Sequence, residues 1–531
     1  MKKKHLLLLS VLSGVLLTIG WPVNGFPAFL FVAMVPMFLI EDHIFNNRDD
    51  FSVFAVFFHT YPGFLLWNVL TTWWVWNSTP AAIAAWTLNA MFMSIVFTVY
   101  HFIRKEIYGK NKGYFVLPFV WIAFEFLHLN WKFTWSWLNL GNGFGNHIKW
   151  IQWYEYTGAL GGTLWILVSN ILIFLAVKSL QKGNKNRLIL NSALAFIIII
   201  IPVFISYLIY FGYKEKKNPV RVIACQQNLN PYSTQYSTPA TEVAGIITGL
   251  ADKLMDDSVR FIVAPESTIQ DYLWEDKLER SHALKILENY VRKHPDVDIV
   301  IGASTYKKYR EGEKLSPSAR YFEKENFYYE SYNTAFLIDT TGILQRHHKM
   351  KLTPGVEYMP SWGFLDKLAI DLGGTVGSLG IDDEQVLLVA DTIKIAPIIC
   401  YESVFGEFCG DYAKKGAQVF FLITNDGWWG DTPGYKQHLL FSPLRAIETR
   451  RWVVQSANTG TSAFIDQRGN IHQATKYWVR TAIKQDVNLN SELTFYSEMG
   501  DYIGRISAFL AVFLLLISIS FSLKRKTKKL R

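Results

Sequence analysis

From His5 to Ile40, and again from Phe51 to Ile103, the chain carries no Asp, Glu, Lys or Arg. A helix that crosses a bilayer needs about 20 mostly apolar residues. Each tract therefore reads as two spans, the first divided by Pro and Gly near Trp21–Pro27 and the second near Asn77–Pro80. Further apolar tracts cover roughly 114–130, 160–180, 188–211 and 504–523. The expectation is seven transmembrane helices, a long interval, and an eighth. A lysine run before an apolar core also opens a secretory signal peptide, but the spans that follow at once favour an anchor.

Charge supports this reading. The net charge of +9 in 531 residues is matched by three lysines at the start and six basic residues from Lys524 to Arg531. Basic clusters beside apolar segments are topology signals rather than a nucleic-acid footprint. With the N-terminus inside, the inner loops hold Arg48, then Arg104, Lys105, Lys110 and Lys112, then Lys182, Lys185 and Arg187. The short outer loops at 22–26 and 77–80 hold none, and that near 131–159 holds only Lys132 and Lys149. The pattern predicts cytoplasmic termini and an interval outside the cytoplasm. Three cysteines exclude a disulfide scaffold.

The expected domains are 1–217, a membrane domain of seven helices; 218–490, a soluble domain; and 491–531, a last helix with a basic tail. In the interval, apolar runs at Val220–Ala224, Arg260–Ala264, Ile299–Ala303, Thr334–Ile338, Ile393–Ile399, Val419–Ile423 and Val453–Gln455 alternate with helical patterns at 241–256 and 278–293. Strands this apolar are covered on both faces, which predicts a layered α/β domain. Gly141–Gly145 is a weak match to a dinucleotide loop in the wrong context. No zinc spacing is present, and His347–His348 reads as a surface pair rather than ligands.

Chemistry-bearing residues sit where such strands end. Glu266 follows Phe261-Ile-Val-Ala-Pro, Lys349 follows Arg346-His-His, and Cys400 follows Ile395-Ala-Pro-Ile-Ile. Ligands gather at the carboxyl ends of strands in open α/β folds. A thiol, a carboxylate and an ammonium together supply a nucleophile, a proton carrier and an oxyanion partner. Singly, each has a bland reading: a small buried hydrophobe for Cys400, a cap or surface group for Glu266, a solvated cation for Lys349.

The surrounding words are more specific. Ala264-Pro-Glu-Ser, Lys349-Met-Lys-Leu-Thr-Pro-Gly-Val-Glu-Tyr, Ile399-Cys-Tyr-Glu, Thr424-Asn-Asp-Gly-Trp-Trp-Gly, and Gln437-His through Arg445-Ala-Ile-Glu to Asn458-Thr-Gly-Thr-Ser resemble the nitrilase superfamily. Seven spans, this domain and one span resemble its membrane-fused branch, the apolipoprotein N-acyltransferases. The resemblance implies a four-layer αββα sandwich, with Cys400 as nucleophile, Glu266 as general base and acid, and Lys349 as oxyanion stabiliser. It implies an acyl donor phospholipid, typically phosphatidylethanolamine, a thioester on Cys400, and transfer to the α-amine of a diacylglyceryl-cysteine on a lipoprotein at the bacterial inner membrane. It implies a monomer, and no metal or dissociable cofactor.

Further positions follow from the same resemblance. Glu357 matches an additional active-site carboxylate, although the preceding Gly is displaced in Pro354-Gly-Val-Glu-Tyr, and a structural salt bridge is its other reading. Tyr401 and Glu402 match wall and support positions, and Asn425 and Asp426 are placed to brace the pocket. Trp137, in Thr134-Trp-Ser-Trp-Leu-Asn-Leu-Gly, matches an outer-face lipid loop, against the general preference of Trp for interfaces. Tyr236 falls in a stretch that resembles a mobile loop. Glu125 is a lone carboxylate in an apolar span, costly unless paired or functional. Cys225 ends a strand and is expected to be buried, Cys409 lies in a helix-like stretch after Cys400, and a pairing between them is left open. Two other classes remain: a membrane-anchored amide or nitrile hydrolase with the same triad, and a non-catalytic scaffold with an unreactive Cys400.

Overall fold

The computed structural model describes residues 2–52, 54–109, 112–342, 344–358 and 378–530. Lys110 and Arg531, counted in the charge pattern, lie outside the described residues. The chain divides into two compact units: Met1–Trp73, Ala82–Gly212 and Asp501–Arg531 form one, and Trp74–Ala81 with Tyr213–Gly500 the other.

In the first unit, six helical segments are long and apolar enough to cross a membrane: Lys3–Gly20, Pro27–Asn46, Ala82–Ile107, Tyr154–Gln181, Lys185–Gly212 and Tyr502–Arg525. Of the eight expected spans, the other two positions also hold helices. Val116–Asn130 has 15 residues, or about 22 Å at 1.5 Å per residue, less than the bilayer core of about 30 Å. Ala55–Thr72 has 18 residues and spends Thr60, Asn68, Thr71 and Thr72 on buried polar positions.

Small and polar residues hold these helices together, as expected where lipid offers no hydrophobic drive for association. Gly14 meets Gly63 so closely that a Cβ on Gly14 would lie 2.4 Å from the Gly63 carbonyl oxygen. Asn89 donates to Asn68 at 2.7 Å. Asn170 accepts from Met34 N and donates to Leu30 O, both at 2.8 Å, satisfying the backbone where the second segment breaks. Arg104 pairs with Glu41 and, at 3.0 Å, with Asp42, which also meets Lys178 at 2.9 Å. These charges tie three helices; such residues are costly in lipid unless paired.

Glu125 acquires partners from three places. It accepts from Trp121 Nε1 at 2.9 Å, Leu140 N at 2.8 Å and Thr163 Oγ1 at 2.6 Å. It thereby fastens the loop after its own helix to the next one. Gly141 belongs to that fastening, not to a nucleotide loop: its N–H donates to Thr163 Oγ1, and a Cβ there would lie 1.8 Å from the Ala159 carbonyl oxygen.

The second unit contains two sheets among the described residues. The larger has eight strands, with the main order Thr481–Asn488, Pro219–Gln226, Val259–Val263, Asp298–Lys308, Phe327–Ile338, Arg320–Phe322; Ile269–Trp274 and Gln345–His348 pair beside this path. The smaller has six: Ile471–His472, Ala463–Ile465, Val453–Ala457, Val419–Thr424, Ile393–Ile399 and Leu388–Ala390. Strand alternation makes the four layers. Ile223, Cys225, Ile262 and Ile299 point to the helices Ala240–Asp252 and His282–Lys293. Val222, Ala224, Phe261 and Val300 point the other way, onto Ile395, Val419, Phe421 and Val454 of the smaller sheet. Helices Gly406–Lys414 and Phe441–Thr449 cover its far face. Both faces of each central strand are thus buried, which is why the runs read as continuously apolar.

His347 and His348 are not a surface pair: both are buried. They lie on Gln345–His348, an added strand of the larger sheet. His348 is held between Asp382 and Glu275, each at 2.6 Å, with its ring on Tyr332 at 3.9 Å. The three cysteines are free.

Candidate active site

Strand ends from both sheets supply the cluster. Glu266 leaves the larger sheet three residues beyond Val263, in a turn backed by Gly302. A Cβ on Gly302 would lie 2.6 Å from Glu266 Cα, so only glycine admits this approach. Lys349 directly follows the strand Gln345–His348, and its N–H donates to Asn333 O at 2.8 Å. Cys400 heads the 3₁₀ turn Cys400–Val404, just past Ile393–Ile399 of the smaller sheet.

Lys349 Nζ lies 3.1 Å from Glu266 Oε1 and 2.8 Å from the Glu357 carboxylate. Asn333 Nδ2 bridges the same two carboxylates, at 2.7 Å to Glu266 and 3.1 Å to Glu357. Glu357 also accepts from Thr353 N at 2.9 Å. Gly355, at φ +79°, makes the turn that brings Glu357 back, so the displaced glycine still yields a tight reversal. Asn333 has no forerunner among the residues singled out in the sequence. Its only signal was a polar residue one position before the apolar run Thr334–Ile338.

Burial decides the charges. It would pull the Lys349 ammonium down, but Glu266 and Glu357 hold it well above its ordinary value. Burial raises the Glu266 carboxyl, and Glu357 adds to that against Lys349. Burial would also raise Glu357, yet Lys349 keeps it below the usual range. The Cys400 thiol is pushed well up by burial and by Glu266, with Lys349 opposing. The resting sulfur is therefore a thiol, and its attack requires a base that takes the proton as the bond forms.

Cys400 has φ +50°, a left-handed conformation that is unfavourable for a residue with a Cβ, costing of order 1–3 kcal/mol. Its carbonyl accepts from Ser403 Oγ at 2.8 Å and faces His438 Nε2 at 3.2 Å. Glu402, fully buried, accepts from Ile399 N at 2.8 Å and from Met350 N at 2.7 Å. One carboxylate thus joins the residue before the cysteine to the residue after the lysine. Tyr401 is buried edge-on against Phe405, ring centroids 5.3 Å apart.

Asp426 accepts from Thr424 Oγ1 at 2.7 Å and meets His438 Nδ1 at 2.8 Å. Asn425 donates to Gln235 Oε1 at 2.7 Å. Cys400, Asp426 and His438 have donor atoms within 4.8 Å of one another. A metal ion would compete there with hydrogen bonds that already engage both His438 nitrogens. Tyr236 lies beside Trp428, ring centroids 6.2 Å apart. The hydroxyl of Tyr232, on the same loop, lies 2.6 Å from Trp428 O and 2.8 Å from Asn77 O, two acceptors that compete for its one proton. Asn77 belongs to the segment Trp74–Ala81, which packs within this unit through Trp74 against Trp429 at 4.8 Å. Trp137 lies in the other unit, buried beside Trp135.

A buried lysine between two carboxylates, with a strained cysteine at a strand end on facing sheets, is the kind of site on which acyl groups are exchanged through a thiol. Residues 222–492, just over half of the chain, match the family described as Carbon-nitrogen hydrolase, and the chain belongs to that family. Residues 13–172 match a second description, Apolipoprotein N-acyltransferase N-terminal domain. A protein of Chlorobaculum tepidum named Apolipoprotein N-acyltransferase is 26% identical, with 96% of each chain covered. One of that name from Geobacter metallireducens is 25% identical over 93% of this chain and 91% of its own. Among solved structures, Saccharomyces cerevisiae Nit3, titled a member of branch 10 of the nitrilase superfamily, covers 52% of this chain and 93% of its own at 18% identity, with a TM-score of 0.38.

Proposed function

We propose that this chain moves an acyl chain from a phospholipid onto Cys400 as a thioester, and from there to the α-amino group of an N-terminal diacylglyceryl-cysteine on an apolipoprotein. The observation that carries this reading is the buried Lys349, held charged by two carboxylates beside a cysteine thiol, in a chain that also holds a set of long apolar helices.

Glu266 accepts the thiol proton while Cys400 Sγ attacks the ester carbonyl. Lys349 stabilises the oxyanion in a site where burial magnifies its charge. The tetrahedral species collapses, the C–O bond breaks, and the lysophospholipid oxygen leaves with the proton from Glu266. The acceptor amine then attacks the thioester. Glu266 takes the amine proton and returns it to the departing thiolate, leaving an amide. Glu357 keeps Lys349 charged, and Tyr401 and Glu402 hold the nucleophile turn. Trp137 and Tyr236 contact lipid. Exclusion of water separates transfer from lipid hydrolysis.

The domain limits 1–217, 218–490 and 491–531 belong to this proposal, with seven spans before the catalytic domain and one after it. So do a bacterial inner-membrane location, cytoplasmic termini, an extracytoplasmic catalytic domain, phosphatidylethanolamine as donor, and a monomer that works without a metal or dissociable cofactor. The test supplies phospholipid labelled in one acyl chain together with a diacylglyceryl-cysteinyl peptide. Label should reach the peptide amine with the wild-type protein and not with Cys400→Ala. Transfer undiminished in Cys400→Ala, or wild-type release of label only as free fatty acid, overturns the reading.

A further inference from the structure

The left-handed backbone of Cys400 is unfavourable and persists only if its surroundings impose it. Its carbonyl oxygen meets two side chains, Ser403 Oγ at 2.8 Å and His438 Nε2 at 3.2 Å. With the single Ser403 hydroxyl proton assigned to that carbonyl, the oxygen offers only lone pairs toward His438 Nε2, 3.1 Å away. Nε2 therefore faces two acceptors and carries a proton. Nδ1 faces Asp426 Oδ1 at 2.8 Å, an oxygen that already accepts from Thr424 Oγ1. It carries a proton as well. A histidine whose two nitrogens both face acceptors is an imidazolium. Its charge is paired by Asp426, and both side chains are buried. Burial would pull the His438 ring down, but Asp426 raises it above its ordinary value.

We infer that His438, anchored by Asp426, is a positioning residue that fixes the left-handed turn of Cys400 and so aims the thiol at the acyl carbonyl. His438 acts on the backbone from which the sulfur projects, by linking the end of the strand Val419–Thr424 to the turn Cys400–Val404. The inference rests on the reading of Cys400 as the nucleophile. It adds two residues that act through Cys400 to those that exchange protons with substrate.

The test compares His438→Leu, which has no donor, with His438→Gln, whose amide N–H keeps one toward the Cys400 carbonyl. Four quantities are read for each: the rate of Cys400 alkylation by iodoacetamide, kcat and KM for acyl transfer, and the thermal midpoint. Misaiming a nucleophile by about 1 Å costs up to about 100-fold. The expected result for His438→Leu is a 10- to 100-fold loss in both kcat and alkylation rate, with KM unchanged, and a return of most of both in His438→Gln. Equal behaviour of His438→Leu and wild type overturns the inference. So does equal loss in Leu and Gln variants that tracks the thermal midpoint. Should His438→Leu not fold, Asp426→Leu decides, since it is close in size and removes the acceptor that anchors His438 Nδ1: slowed alkylation supports the inference, and an unchanged rate overturns it. If the wild type forms no acyl-enzyme, the function falls, while the alkylation comparison still rules on His438.

Discussion

At the scale of single residues, the site is a balance of burial against charge. Glu266 and Glu357 share one lysine and one asparagine, yet their carboxyls shift in opposite directions. The difference matches their proposed tasks: the group that carries a proton sits high, and the one that holds an ammonium stays ionised. Glu266 must be ionised to take the thiol proton, so kcat/KM should fall on its acid side above the ordinary carboxylate value of 4.5. The negative charge of Glu357 is among the causes that raise Glu266. In Glu357→Gln that cause is gone, the Glu266 carboxyl falls, and the acid limb moves to lower pH. Lys349 also loses a partner, so kcat drops by about tenfold or more. A pH profile of kcat/KM checks both; an acid limb that stays in place or moves upward contradicts the assignment.

At the scale of elements, legibility followed burial. Ile393–Ile399 was readable to the residue because every inward position on either face is apolar. Thr481–Asn488 was not, because among the described residues it pairs with one strand, Pro219–Gln226, and the consecutive polar run Lys484-Gln485-Asp486 interrupts its apolar positions. Asn333 and His438 were missed as partners for the same reason: a polar residue inside a strand or helix does not announce which buried group it satisfies. His347–His348 was misread because two polar residues in a row do not reveal that their strand is covered. Glu266, Lys349 and Cys400 were found through words shared with a family, while composition alone left each of them bland.

Glu125 shows what a sequence signal means once its partners are known. An intramembrane carboxylate pointed to a functional or paired site, and the structure pairs it with donors on three segments. Glu125→Ala would leave the Trp121, Leu140 and Thr163 donors buried and unpaired, at about 1–3 kcal/mol each and not fully additive. The thermal midpoint in detergent should fall by several degrees, and less in Glu125→Gln, which keeps an acceptor oxygen. Equal midpoints for Glu125→Ala and wild type would remove its fastening role.

At the scale of the whole molecule, the chain joins apolar helices to a four-layer sandwich, and that union separates it from hydrolases built on the sandwich alone. Substrates confined to a bilayer meet a membrane-anchored enzyme at high effective concentration. The segment Trp74–Ala81 lies between two helices of the membrane unit in sequence, yet it packs with the catalytic unit. No periodicity distinguishes such a segment from an ordinary short loop. Intact-protein mass spectrometry after incubation with phospholipid of one defined acyl chain, with no acceptor present, reads the covalent step itself. A mass gain of that one acyl group, mapped to Cys400, removed by neutral hydroxylamine and missing from Cys400→Ala, is the predicted result. An unmodified wild-type protein, or an adduct that survives in Cys400→Ala, would contradict it.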